Sequence, residues 1–139
     1  MCRDVLGNLV DGRAKLWTTH RALQLRTREH ALFRRGEYVA LEVPGERQEN
    51  VIAFLRRDMA SERSVLAVMP RFAYTLMRGK EELPLGEAWG KDQLQIPVSP
   101  GTRYTNVFTG ESVTVPEQQN LPLSTLLGSY PVGLFISEE

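Results

Sequence analysis

The histidines, His20 and His30, are the first residues of this sequence that could bind a metal or transfer a proton. Ten positions along one helix would separate them by about 15 Å, which is too far for a shared metal ion. We interpret His20 as a core or capping histidine. No HExxH, CxxC, GxGxxG, P-loop or GxSxG spacing is present. The sequence therefore predicts no catalytic residue, no metal site and no cofactor of its own.

Carboxylates are the next candidates, because cleavage of a glycosidic bond needs two of them, one protonated and one ionised. Glu87 and Asp92 form the one acidic pair beside a large aromatic residue, Trp89. Trp89 could stack on a sugar ring, or it could close the edge of a β-sheet, and the second interpretation is favoured. Tyr104 is the other aromatic residue considered for binding an α-1,4-glucan such as a maltooligosaccharide.

Arginines at seven-residue steps, Arg21, Arg28 and Arg35, could follow the phosphates of a nucleic acid. The formal net charge of zero, from 17 basic and 17 acidic residues, argues against this interpretation. Arginine stripes more often pair with the carboxylates of a neighbouring domain or stay in water. The sequence predicts no nucleic-acid partner.

A helix must position these basic residues. Neither Pro nor Gly interrupts residues 13–30, and Asp11 can accept hydrogen bonds in the first turn. A stripe recurs at four- and three-residue spacing, and it consists of Leu16, His20, Leu23 and Thr27, with Trp17 widening it. This spacing predicts an amphipathic helix of about four turns, followed by a short turn that ends at Gly36.

After residue 36 the period changes to near two, which is typical of strands. Strands are predicted near residues 37–43, 50–57, 64–70, 93–98, 103–108, 111–115 and 131–136. Residues 72–77 fit a strand or a helix, and residues 121–127 fit a short helix or an irregular strand. The pattern predicts a mainly β fold, an antiparallel β-sandwich preceded by one helix. The pattern therefore divides the chain into a helical segment at 1–36 and a β-sandwich domain at 37–139.

The 139 residues are enough for one core, and 42% of them are hydrophobic. A single cysteine, Cys2, excludes an internal disulfide and is typical of a reducing compartment. No apolar run approaches the about 20 residues of a membrane-spanning helix, and the start lacks a signal peptide. We expect a cytoplasmic protein with no membrane partner.

Charge is divided unevenly along the chain. Residues 1–36 carry eight basic and three acidic residues, so the remainder is net negative. A helix that is apolar over a wide arc usually contacts two surfaces. Leu16, Trp17 and Leu23 are therefore predicted to contact a domain outside this chain, and the exposed helix also leaves self-association open.

Several segments, in order, resemble the C-terminal end of maltooligosyltrehalose synthase, a (1→4)-α-D-glucan 1-α-D-glucosylmutase of the α-amylase family. They are residues 11–23 (DGRAKLWTTHRAL), 32–38 (LFRRGEY), 86–90 (GEAWG), 106–111 (NVFTGE), and 121–123 (LPL) with 130–134 (YPVGL). The resemblance spans nearly the whole chain. It implies that the helix corresponds to the last helix of a catalytic (β/α)₈ barrel and that the strands form the following sandwich.

The family converts the reducing-end α-1,4 linkage of a maltooligosaccharide to an α,α-1,1 linkage, which gives a terminal trehalose unit. The resemblance implies that the catalytic carboxylates lie on earlier barrel loops, so none of them maps to this sequence. It implies a structural role for this chain, with the barrel as its partner. An α-glucan-binding module that uses exposed aromatic residues is the alternative.

Overall fold

The structure is a computed structural model that describes residues 13–72, 77 and 84–138. Its helices are α1 (Arg13–Arg28), α2 (His30–Arg35) and α3 (Leu123–Leu126), with 3-10 turns at Gln48–Asn50 and Gly86–Trp89. Its strands are β1 (Glu37–Leu41), β2 (Val51–Arg57), β3 (Ser64–Pro70), β4 (Gln93–Gln95), β5 (Arg103–Asn106), β6 (Ser112–Thr114), β7 (Asn120–Pro122) and β8 (Gly133–Ser137). Cys2, Asp11 and most of residues 72–77 lie outside the described residues.

The strands form two antiparallel sheets. The large sheet has the order β1-β2-β3-β8-β5-β6, and the small sheet pairs β4 with β7. The last strand, β8, therefore lies between β3 and β5, and both of its neighbours are antiparallel to it. The mainly β, antiparallel architecture predicted from the two-residue period is confirmed.

The large sheet has two different faces, because successive side chains of a strand point to opposite sides. On β2, Val51, Ala53 and Leu55 are buried on what we call the core face. Ile52 and Phe54 point to the other side, which we call the helix face. Both faces of β3 are buried over its first five residues, and this explains its nearly continuous apolar sequence.

The main core packs the core face of the large sheet against the small sheet and the connections around it. Its buried side chains include Val51, Leu55, Leu66, Val68, Trp89, Leu94, Ile96, Tyr104, Leu121, Leu123, Leu127 and Phe135. Large apolar side chains from both sheets exclude water here, and each contributes about 1.5–3 kcal/mol of stability.

A second core lies on the helix face, under α1 and α2. Leu25 of α1 and Leu32 of α2 are buried there against Val65 of β3 and Ile136 of β8. The helical segment predicted at 1–36 therefore shares a core with the strands over the part of it that the structure describes. No described helix is long and apolar enough to span a membrane.

Local sequence explains the connections. The predicted hairpin at residues 109–110 is confirmed, since β5 pairs with β6 and the Asn106 side chain accepts the backbone N–H groups of Phe108 and Thr109. Gly110 there has a φ of 81°, which glycine adopts at little cost. The strand predicted at 93–98 ends at Gln95. Residues 121–127 contain the end of β7 followed by α3.

Candidate interaction surface

The only acidic pair beside a tryptophan does not form a catalytic pair. Glu87 is exposed, whereas Asp92 is buried and accepts the backbone N–H of Arg47 at 2.7 Å. The Arg47 guanidinium lies 3.9 Å from the other Asp92 oxygen and donates to the carbonyl of Ala88 at 2.7 Å. Asp92 therefore holds the 44–47 turn against the segment that carries Trp89, which is a structural role.

Trp89 and Tyr104, the predicted sugar-binding residues, are both fully buried. The Trp89 indole N–H donates to the carbonyl of Pro84 at 2.9 Å, and the Tyr104 hydroxyl lies 2.6 Å from Ser64 Oγ. Burial raises the pKa of the Tyr104 phenol, and the hydrogen bond with Ser64 opposes this only in part. A buried ring offers no face to a sugar, so the burial of both residues argues against the prediction that they bind glucan. The alternative interpretation of Trp89 as a packing residue fits its position.

A fluorescence titration checks this directly. The chain has two tryptophans, so Trp17→Phe leaves Trp89 as the only tryptophan emitter. We expect maltoheptaose at millimolar concentrations to cause no saturable change in the emission of this variant, because the Trp89 ring is shielded from solvent. A saturable change in the emission of Trp17→Phe would contradict the assignment of Trp89 to the core, and loss of that change when Tyr104 is also replaced by Phe would extend the contradiction to Tyr104.

Histidines and acidic residues form no metal site in the described part of the chain, where no cluster of three or more such ligands occurs. His20 is exposed on α1, so the interpretation of it as a core residue is wrong. His30 is exposed at the start of α2. His20 belongs to the predicted apolar stripe, and this stripe lies on the exposed side of the helix.

One face of α1 is attached to the loop after β5. The Trp17 indole N–H donates to the carbonyl of Phe108 at 3.2 Å, and Arg21 Nε donates to the carbonyl of Val107 at 2.8 Å. Thr18 Oγ1 and the Tyr130 hydroxyl lie 2.7 Å apart. Trp17, predicted to contact an outside domain, thus packs on the chain's own loop. These polar contacts could not be predicted from the sequence, since carbonyl acceptors are present in every loop.

The opposite face of α1 is exposed. Leu16 is 71% exposed and Leu23 is 54% exposed, and with His20 and Thr27 they form the predicted stripe. At 100° per residue these four positions lie on one side of the helix, away from the buried Leu25. We call these four residues the outer stripe. It is an apolar helix surface that the described part of the chain does not cover.

The helical segment that carries the outer stripe also carries exposed basic side chains. Arg26, Arg34 and Arg35 are exposed, and none of them pairs with a carboxylate among the described residues. Glu29, the acidic residue between α1 and α2, pairs at 2.6 Å with Arg63, which immediately precedes β3. The helical segment therefore presents apolar side chains with an excess of unpaired positive charge, which is typical of a surface that binds a protein with acidic groups.

Comparisons with known proteins add no relative, since no family model, no curated protein and no solved structure matches the chain. The outer stripe is a surface that the spacing of apolar residues predicts and whose leucines are exposed in the structure. The spacing of apolar residues predicted that Leu16 and Leu23 share one face of α1. The structure shows that neither leucine belongs to the core between α1 and the sheet.

Proposed function

We propose that the chain is the C-terminal part of an enzyme similar to maltooligosyltrehalose synthase. In this proposal it supports the catalytic barrel and supplies no catalytic residue. The barrel would carry the carboxylates that open the reducing-end α-1,4 linkage and close the α,α-1,1 linkage. The two antiparallel sheets are then the sandwich that follows the barrel in the α-amylase family.

One observation carries the proposal beyond the sequence resemblance. Residues 13–23 of the first resembling segment fall on α1, and their two leucines, Leu16 and Leu23, are exposed. A helix that is attached to its own sheet by one face and apolar on the other suits a position between two domains. Burial of both leucines would contribute about 3–6 kcal/mol to domain association, at about 1.5–3 kcal/mol each.

The carboxylates beside Trp89, which the structure describes, do not form the pair that a glycosidase needs. Asp92 accepts a hydrogen bond from Arg47, and Glu87 is exposed to solvent. A retaining mechanism needs two carboxylates about 5 Å apart across the sugar bond. A supporting role therefore explains the distribution of acidic residues better than turnover by this chain alone.

The test replaces Leu16 and Leu23 by Ser in the same chain. Because both side chains are exposed, we expect the free energy of unfolding of the chain alone to change by less than about 0.5 kcal/mol. Binding to a separately expressed maltooligosyltrehalose synthase barrel, measured by titration calorimetry, should weaken by about a hundredfold, which corresponds to about 2.8 kcal/mol. The chain and barrel are mixed at low ionic strength to preserve their electrostatic attraction.

Met59→Ser is the matched control, since Met59 is an equally exposed apolar residue in the turn between β2 and β3. It should leave both stability and barrel binding unchanged. If the wild-type chain does not bind the barrel, or if the double variant binds it equally well, the proposal fails. An in-frame barrel with paired acidic residues upstream of this sequence in its gene would support the parentage independently.

A further inference from the structure

The helix face of the large sheet carries a second apolar surface, separate from the outer stripe. Tyr38 of β1 and Phe54 of β2 stack with their ring centroids 5.2 Å apart, and Tyr38 is 57% exposed. Ile52, 44% exposed, lies directly opposite Met69 of β3. We call Tyr38, Ile52, Phe54 and Met69 the sheet patch. Their register places all four side chains on the helix face.

A cation without a counter-charge borders the sheet patch. Arg56 lies opposite Tyr38 in the register, is half-buried, and donates from Nη2 to the carbonyl of Phe33. Its Nε is the one buried side-chain nitrogen or oxygen that lacks a hydrogen-bond partner in the described part of the chain. No described carboxylate pairs with Arg56. A partly buried charge without a counter-charge is costly, and an incoming carboxylate would offset that cost.

More positive charge lies at the same end of the patch. Arg34 and Arg35 are exposed and precede Tyr38 by four and three positions, and no described carboxylate pairs with them. The nearby Glu37 points to the other face, where it pairs with Arg57 at 3.1 Å. The apolar surface therefore has a positive border at its α2 end.

We propose that the sheet patch binds an acidic polypeptide segment. Apolar side chains of that segment cover Tyr38, Ile52 and Phe54, and one of its carboxylates pairs with Arg56. The inference is independent of the proposed parentage, because it uses the sheet and none of the residues of the outer stripe.

Polypeptide is the chemistry that fits this surface. A sugar site combines aromatic rings with several polar groups that orient the hydroxyls, whereas the sheet patch is bordered by Ala40 and has few polar groups. A lipid surface offers diffuse negative charge. A half-buried guanidinium such as that of Arg56 instead suits one directed carboxylate.

Selection of random peptides displayed on phage, against the immobilised full chain, tests the proposal. We expect the selected peptides to combine aliphatic or aromatic residues with Asp or Glu. One selected peptide is then synthesised together with a version whose acid is replaced by its amide. On the wild-type chain the amide version should bind at least about tenfold more weakly.

Variants assign the contact in a double-mutant cycle. On Arg56→Gln, the acid and amide peptides should bind equally. Ile52→Ser should weaken both peptides by about tenfold or more, and Met59→Ser should weaken neither. If Arg56→Gln fails to fold, salt provides the second measurement on the wild-type chain. Rising salt should then weaken binding of the acid peptide and leave the amide peptide nearly unchanged.

Four results would overturn the proposal. They are selected peptides without enrichment of acidic residues, peptide binding that Ile52→Ser leaves intact, equal binding of the acid and amide peptides by the wild-type chain, and binding of vesicles with anionic lipid in place of any peptide. Sedimentation adds a further arm, since a dimer that Ile52→Ser abolishes would assign the sheet patch to a second copy of the chain. The outer-stripe variant Leu16→Ser should behave as wild type throughout, which separates this test from that of the proposed function.

Discussion

Replacement of Trp89 by Ala is expected to lower the free energy of unfolding of the chain by about 3–5 kcal/mol. The Trp89 ring is fully buried in the main core, where its indole N–H donates to the carbonyl of Pro84. Truncation would leave a large cavity and an unpaired carbonyl in a domain whose total stability is of order 5–15 kcal/mol. Urea denaturation followed by circular dichroism measures the change.

Trp89→Phe is the matched variant for the case in which Trp89→Ala does not fold. It keeps most of the ring but leaves Pro84 without its donor, so we expect a smaller loss of about 1–3 kcal/mol. The stability should fall in the order wild type, Phe, Ala. A Trp89→Ala chain as stable as wild type would show that the residue is not a core residue.

Arg63→Met is expected to cost about 2–3 kcal/mol. Arg63 donates from Nη2 and Nε to the two carboxylate oxygens of Glu29, at 2.6 and 3.3 Å, and from Nη1 to the carbonyl of Ser137 at 2.8 Å. Glu29 lies between α1 and α2, so this one side chain connects both helices to β8. Urea denaturation at neutral pH measures the loss.

The same pair makes stability depend on pH. Hydrogen bonds from Arg63, together with the charges of Arg63 and Arg28, lower the pKa of Glu29 despite its partial burial. A lowered pKa means that the pair stabilises the fold above the ordinary glutamate pKa of about 4.3 and that this contribution is lost as the pH falls through the folded value. Arg63→Met should therefore lose less stability than wild type between neutral pH and that acid range.

A more exposed ion pair serves as the control. Arg57 and Glu37 join β2 to β1 at 3.1 Å, but the Glu37 side chain is largely exposed. Glu37→Gln should change the free energy of unfolding by less than about 1 kcal/mol. If it costs as much as Arg63→Met, the stabilisation assigned to the Glu29–Arg63 pair is a general effect of charge and not of its position between the helices and the sheet.

Sequence periodicity predicted the elements well. The change from a helical period to a period of two at Gly36 placed the boundary between α2 and β1 correctly. Most predicted strands and the hairpin at Gly110 are present, because alternation of apolar residues is a local property of each strand. The position of β8 between β3 and β5 could not be predicted, because the pairing of strands that are distant in sequence has no signal in the sequence of either strand.

Side-chain roles were predicted less well than elements. Trp89 and Tyr104 have rings that could stack on a sugar, yet both rings are buried in the core, where Pro84 and Ser64 satisfy their polar atoms. On α1, the spacing of apolar residues identified the outer stripe but not the buried Leu25. Spacing alone predicts which residues share a helix face, and it does not predict which face packs against the sheet. No sequence motif predicted the sheet patch, because Tyr38 and Phe54 are brought together only by the register of β1 and β2.

The central position of β8 also bears on biosynthesis. Strands β1, β2 and β3 are consecutive hairpins and can pair as the nascent chain leaves the ribosome, whereas β3 and β5 must both wait for the last strand. Until β8 has been synthesised, the edges of β3 and β5 remain open to other chains. Chaperone dependence and loss of yield on premature termination would follow from this order of events.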